Sequence, residues 1–539
     1  MRTGLEGVTT DSLPAALFAA AILADCHDLG FLRRSRILAR IGTCDVSQDV
    51  NIVDYVLEAA RTCRIPCSMN RLPWTSRLRK ARKIARKWAD AGVRVMALHE
   101  VITNGRDEPL LPEVLFAWGN AGPLEYPRAA VLQSRRKREV HPHDDWVRTI
   151  KRFVDHACVR GFAIITSNAP LTYSLVCRRA RGSPVVVVCD EVLPFLLSQK
   201  KVSQFLDTYA DLFDLNLTLF LSPFSPGDLP SRPQRMALRD SLVARFASVI
   251  YAGEVRKGGN MERVLKAAYK RGAPVLGIDA GTPDHRITRL DLFEDRENRF
   301  VRSKTHVSAR RPSSVKACAG ANCSRAFAAL ACEKSIPRAR LDTGSYLIHY
   351  TRRCPGPWPG QTLGEYCQTL IDGTEDAAHT AFDTLNRIMT ERRVRASARL
   401  IRGALPVVSF TECPPEDLKS VIAWRKGLTR WTFEPYGVAV KKEVLTALGA
   451  RPVLYGNELC FRSLSEEERY LFQLTKLGNR DWKLEKEWRL PNDLDLTLVS
   501  RSDMIVALPT REEAIFVANR YDVPVTWPEL SLDLRRPVS

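Results

Sequence analysis

From Gly92 onward, short apolar runs alternate with longer amphipathic stretches, and this alternation constrains the fold more than any other feature of the chain. The spacing predicts strands at Val93–Leu98, Ala129–Leu132, Ala163–Thr166, Val185–Cys189, Leu217–Leu221, Val249–Tyr251 and Val275–Ile278. Helices are predicted between several of them, over Asp144–Cys158, Leu171–Arg181, Val202–Leu212, Arg235–Phe246 and Met261–Lys270. Strands joined by helix-length segments make βαβ units and hence a mainly parallel sheet. The expected fold class is α/β: a Rossmann-like, mainly parallel sheet flanked by helices.

A chain of 539 residues exceeds what one hydrophobic core usually organises, so two or three domains are expected. Residues 1–85 form a helical N-terminal region in this reading, with apolar residues at three-and-four spacing such as Leu13, Leu17 and Ile22, then Leu32, Ile37 and Ile41. The binding domain is assigned to 86–285. Residues 286–340 are charged and weakly periodic, the pattern of a linker. A C-terminal α+β domain is assigned to 341–539, with strands expected at Tyr346–Tyr350, Val407–Phe410, Val438–Val440 and Val453–Tyr455.

No apolar run is long enough to suggest a membrane span, and no membrane partner is expected. The apolar stretch from Leu13 to Leu23 is followed by Asp25, His27 and Asp28, so it reads as a helix and not as a signal peptide. Fourteen cysteines lie scattered without a repeating framework, which points to a reducing, cytoplasmic compartment. Cys318, Cys323, Cys332 and Cys354 lack the paired short spacing of a zinc knuckle, and no metal is expected.

The net charge of +20 favours polyanionic partners, through phosphate neutralisation and counterion release. Much of it is concentrated in Arg77, Arg79, Lys80, Arg82, Lys83, Arg86 and Lys87, between Trp74 and Trp88. A phosphate-tracking helix with aromatic flanks and a plain solvated helix face both fit this segment. Charge does not distinguish DNA from RNA or from a dinucleotide.

In an open parallel sheet, ligands sit beyond the carboxyl ends of the strands, where helix N-termini present N–H groups to anions. Three strand ends carry suitable chemistry. Ala129–Leu132 runs into Gln133-Ser134-Arg135 and the cations Arg136, Lys137 and Arg138. Ala163–Thr166 runs into Ser167-Asn168-Ala169-Pro170 and a capped, Pro-started helix. Val249–Tyr251 leads to Arg256-Lys257-Gly258-Gly259-Asn260, where two glycines let backbone approach a phosphate beside two cations.

The order of these pieces resembles the DprA/Smf (DNA-processing protein A) family. Pro112-Glu113-Val114-Leu115-Phe116-Ala117-Trp118-Gly119-Asn120 is similar to its lead-in, and Gln133-Ser134-Arg135 to its Gly-Ser-Arg strand end. Ser225-Pro226-Gly227, the stretch Arg235–Leu242 and Arg256–Asn260 follow in the family's order. The chain departs from the pattern where Gln133 replaces a glycine, where Thr166–Pro170 replaces a glycine-rich loop, and where the second arginine of the family's Arg-Arg-Asn-Arg segment falls on a non-basic residue. The resemblance implies binding of single-stranded DNA or a nucleotide-derived ligand, in bacterial DNA processing or anti-phage defence. It implies a pocket lined by Ser134, Arg135, Arg235, Arg239, Lys257, Gly258, Gly259 and Asn260, and self-association as a homodimer. The wider SLOG superfamily, whose members resemble DprA, implies a nucleotide-sensing role instead.

The C-terminal part presents His349 at the end of an apolar strand, Ser409, Thr411 and Glu412 at the end of another, and Glu487 beside Arg489. This layout resembles that of ADP-ribosyltransferases, and with neighbouring segments it also resembles an abortive-infection family. The first resemblance implies an NAD-using effector in which His349 holds the nicotinamide ribose, Glu487 stabilises developing positive charge and Glu412 belongs to the hydroxyl cluster. The sequence leaves open whether the protein is an enzyme: His349 equally fits a core histidine, and Glu487 with Arg489 an ion pair.

Overall fold

The computed structural model describes residues 15–24, 29, 31–42, 52–65, 74–98, 111–134, 140–226, 229–278, 287–289, 336–342, 344–399, 401–403, 405–418, 422, 424–425, 430–477 and 480–528. They fall into two compact units. The first takes the described residues up to 307 together with Pro359–Gly373; the second takes those of Ser308–Trp358 and Thr374–Ser539.

The first unit is a Rossmann-like α/β fold on a nine-stranded sheet. Its strands are β1 (Arg94–Ala97), β2 (Val114–Gly119), β3 (Arg128–Leu132), β4 (Ala163–Thr166), β5 (Val185–Val188), β6 (Thr218–Ser222), β7 (Val249–Ala252), β8 (Val275–Ile278) and β9 (Ile287–Arg289), in the order β1-β2-β6-β5-β4-β3-β7-β8-β9. Pairing is parallel from β6 across to β8, and antiparallel for β1 and β2 at one edge and β9 at the other. The inner strands are buried at every position, as in Val185–Val188, because helices cover both faces; such strands read as continuous apolar runs, not alternating ones.

Helices α1 (Ala15–Ala24), α2 (Phe31–Gly42), α3 (Ile52–Thr62) and α4 (Trp74–Asp90) precede the sheet. They are built into this unit and do not stand apart from it. Ser35 on α2 accepts the Glu113 and Val114 N–H groups at 2.7 and 3.1 Å, and Arg34 donates to the Pro226 carbonyl at 3.1 Å. Between the parallel strands run α5 (Asp145–Val159), α6 (Leu171–Arg179), α7 (Gln199–Tyr209), α8 (Arg232–Phe246) and α9 (Asn260–Lys270). Residues 363–372 form α10, which packs on α6 although its sequence lies in the C-terminal part. Arg178 on α6 holds it, donating to Gln368 Oε1 at 3.0 Å.

Three sequence expectations shift. Val114–Gly119, expected only as part of a motif, is strand β2. Its Gly119 has φ +101°, and a Cβ there would fall 2.4 Å from the Thr218 carbonyl oxygen, so the close pairing with β6 requires glycine. The sheet also runs past the expected boundary at 285, through β9. The helix after β4 starts at Leu171, with Pro170 at the N-cap and no side-chain cap bond. Cys318, Cys323 and Cys332 lie outside the described residues.

The second unit is α+β, with a seven-stranded sheet. Its strands are β10 (Tyr346–Tyr350), β11 (Val407–Thr411), β12 (Gly437–Lys441), β13 (Arg451–Pro452), β14 (Glu487–Pro491), β15 (Met504–Ala507) and β16 (Val525–Thr526), in the order β13-β14-β11-β10-β12-β15-β16. Pairing is antiparallel except between β15 and β16. Helices α11 (Ala381–Glu391) and α12 (Arg511–Tyr521) pack against one face, on a core that includes Leu347, Phe410, Val438, Leu490 and Val506.

Candidate functional site

The strand order of the first unit creates one place where chain direction reverses. Successive crossovers carry the chain from β3 through β4 and β5 to β6 on one side, whereas β7 and β8 lie on the other side of β3. The loops leaving β3 and β7 therefore flank a topological switch point at the strands' carboxyl ends, the usual ligand position in an open α/β sheet. Ser134 and the segment Arg256–Asn260 fall on these two loops.

Polar contacts stitch the loops together. Ser134 N–H donates to the Glu254 carbonyl at 3.0 Å, the Arg256 N–H donates to Ser134 Oγ at 2.8 Å, and the Gly253 N–H donates to the Leu132 carbonyl at 2.9 Å. Arg256, Lys257 and Gly258 are exposed; Gly259 and Asn260 are half-buried at the start of α9. Arg135, with Arg136, Lys137 and Arg138, lies outside the described residues.

Gly258 adopts φ +71°, which suits glycine. Its N–H is already engaged: it donates to Glu262 Oε2 in the first turn of α9. Lys266, at 2.9 Å from Glu262 Oε1, and this Gly258 contact hold the Glu262 carboxyl below its ordinary pKa, so an anion occupies the loop from within the chain. This corrects the expectation of a cradle open at Gly258. The signal was present in the sequence, since an acidic residue in a helix's first turn satisfies the N-terminal donors that a phosphate would use.

Of the three arginines assigned to the pocket, the two that are described, Arg235 and Arg239, are tied to the protein. Arg239 is 2% exposed and donates to Asp240 Oδ1 from Nε at 3.1 Å and from a terminal nitrogen at 2.8 Å, and to the Ala169 carbonyl at 2.7 Å. Asp240 Oδ1 also accepts the Tyr173 hydroxyl at 3.0 Å, and its Oδ2 accepts Asn260 Nδ2 at 2.9 Å. Arg235 donates to the Asp190 and Pro230 carbonyls at 2.9 and 3.0 Å. Arg235, Arg239 and Asn260 thus hold the strand-end loops in position. Sequence reasoning passed over Asp240, the hub of this network; the adjacent Arg239-Asp240 pair in an otherwise apolar helix segment was its one visible sign.

Helix α4 exposes Arg79, Lys80, Arg82, Lys83, Arg86 and Lys87 and buries Ala81, Ala85 and Trp88 as a stripe at helical spacing. Trp88 donates its indole N–H to the Leu196 carbonyl at 3.1 Å. It is a core side chain and not an exposed aromatic flank, one of the two readings the sequence left open.

In the second unit, β10 and β11 pair Ile348 with Thr411, and β11 and β14 pair Thr411 with Glu487. Neighbours along a strand point to opposite faces. Glu487 therefore shares a face with Ile348, and His349 lies on the other, beside Phe410 at 6.0 Å between ring centres. His349 Nδ1 donates to the Ser409 carbonyl at 2.9 Å, and burial pushes its imidazole down to about 4. Glu487 is chelated by Arg489 at 2.9 and 3.1 Å, and Arg489 is itself buried against the Tyr470 and Phe472 carbonyls. Glu412 accepts Lys442 Nζ at 2.7 Å and the Trp488 indole N–H at 3.0 Å. The register thus separates His349 from Glu487. The catalytic trio expected from their sequence order is not brought together.

The first unit is thus a Rossmann-like α/β domain with a topological switch point between β3 and β7. In solved structures, DNA processing protein A from Streptococcus pneumoniae is 14% identical, over 50% of this chain and 88% of that one, with a TM-score of 0.32. DNA processing protein A from Helicobacter pylori, described for its single-stranded DNA binding mode, is also 14% identical, over 35% of this chain and 80% of that one, with a TM-score of 0.28. No protein-family model and no curated protein matches the chain. No helix among the described residues is long and apolar enough to cross a membrane.

Proposed function

We propose that the first unit binds a nucleic acid or nucleotide-derived polyanion at the carboxyl ends of β3 and β7, with single-stranded DNA as the leading candidate and DNA processing as the setting. The observation that carries this reading is the switch point itself, whose two loops are joined through Ser134 Oγ and the Arg256 N–H and expose Arg256 and Lys257. The net charge of +20 and the exposed cations of α4 supply long-range attraction for a polyanion.

The test is a fluorescence-anisotropy titration with labelled single-stranded oligonucleotides at two salt concentrations, repeated for the double variant Arg256→Ala/Lys257→Ala. Every phosphate deprived of its cation lowers the log–log salt slope by about 0.7 for single strands, so the double variant should bind with a slope lower by about 1.4. Binding that ignores both salt and these two residues would remove the switch point from consideration. The NAD-using effector gains no support from the second unit, because His349 and Glu487 lie on opposite faces of the sheet.

A further inference from the structure

Gln133 follows directly on β3 at the switch point. The side chain is 4% exposed, and among the described residues neither Oε1 nor Nε2 has a hydrogen-bond partner. It lies over Gly253, the residue that follows β7: a Cβ built on Gly253 would fall 2.5 Å from Gln133 Oε1 and 3.3 Å from its Cδ. Gln133 and Gly253 therefore fit as a pair at the switch point, the glycine leaving the space in which the carboxamide lies.

A buried amide left unpaired is costly, and natural structures retain such groups rarely, so each one calls for an account. Here the account is chemical. A carboxamide presents one acceptor and a two-proton donor side by side in a plane. Phosphate oxygens are acceptors only, so a phosphate could satisfy Nε2 and would leave Oε1 unpaired. A nucleobase edge offers an adjacent coplanar donor and acceptor, and glutamine pairs with adenine in this bidentate way.

We propose that Gln133 reads the base of the ligand bound at the switch point, with adenine the favoured partner. The inference rests on the reading of that switch point as a nucleic-acid or nucleotide site. Rotation about the side chain's own torsions lifts the carboxamide from Gly253 toward a base whose sugar and phosphate lie along the Ser134 and Arg256 loops. Backbone contacts then supply sequence-independent affinity, and Gln133 adds the base-dependent part.

The test compares an oligo-dA strand with an abasic phosphodiester strand of equal length, binding the native protein and Gln133→Met. Methionine keeps nearly the same volume and removes both polar atoms, so the variant should melt no lower than the native protein. The expected result is oligo-dA binding at least about tenfold tighter than the abasic strand, a gap that Gln133→Met abolishes while abasic affinity stays unchanged; tenfold corresponds to about 1.4 kcal/mol. A native protein that binds both strands equally, or a gap that survives in Gln133→Met, overturns the role of Gln133 and leaves the polyanion site standing. A clear fall in melting temperature in Gln133→Met also overturns it, because the amide would then serve the fold. Failure of both strands to bind the native protein overturns the site itself, and this inference with it.

Discussion

The Glu262 carboxylate accepts the Gly258 N–H at the head of α9, in the position where a ligand's anion would approach that loop. A chain that binds a polyanion here does so against a resident negative charge, or beside it on the Ser134 side of the switch point.

Glu262→Gln tests which. The amide retains an acceptor for Gly258 and removes the charge. Charges at a helix N-terminus are typically worth about 0.3–1 kcal/mol, so affinity for a single-stranded oligonucleotide should rise about two- to fivefold if phosphate approaches α9. Unchanged affinity in the same anisotropy titration would place the ligand away from the Gly258 loop.

The Arg239–Asp240 pair should matter for folding more than for binding. Removing the carboxylate with Asp240→Ala leaves a 2% exposed guanidinium whose remaining counter-charge is Asp190 at 3.5 Å, and frees the Tyr173 and Asn260 donors. Breaking a buried pair in this way costs about 3–5 kcal/mol. Urea unfolding followed by tryptophan fluorescence should show the first transition moving to markedly lower denaturant; a shift within error would refute the role assigned to this network.

The second unit carries two groups with opposite pH dependence. His349 titrates at about 4 in the fold against an ordinary value of 6.5, so the stability it contributes is complete above pH 6.5 and is lost as pH falls through 4. Glu513 is 3% exposed, and burial raises it to about 7, against the Tyr436 and Thr510 hydroxyls that favour its ionised form. Its contribution is complete below pH 4.5 and is lost as pH rises through 7, by about 3 kcal/mol at most. Melting curves across pH 4–8 should flatten on the acid side in His349→Phe and on the neutral side in Glu513→Gln. Curves unchanged in shape would count against both assignments.

If α4 tracks a phosphate backbone, Lys83→Glu/Arg86→Glu/Lys87→Glu should lower the salt slope by about 2 while leaving the melting temperature unchanged, since all three side chains are exposed. Equal slopes for native and variant protein would mean that these cations only solvate the helix.

Local pattern sufficed for most of the first unit. The inner strands carry enough branched apolar residues to be recognised without their neighbours: Ala163–Thr166 and Val275–Ile278 appear with the expected bounds, and the others within a residue or two. Helix positions followed from three-and-four spacing in the same way, because both signals arise within a dozen residues of chain. The placement of Ser134 and Arg256–Asn260 at strand ends was legible for the same reason.

Other features depend on contacts distant in sequence. Only the order of the strands shows that the loops of β3 and β7 flank a switch point. Only packing reveals that Gln133 meets Gly253 without a polar partner, that Arg239 is spent on Asp240, and that Trp88 is core. In the second unit, the sequence by itself placed His349 on a strand, whereas the strand that begins at Glu487 appears only in the structure. Which face each occupies was decided by register, through the pairing of Ile348 with Thr411 and Thr411 with Glu487. A one-residue step reverses a side chain's direction, and nothing local to either strand sets that step.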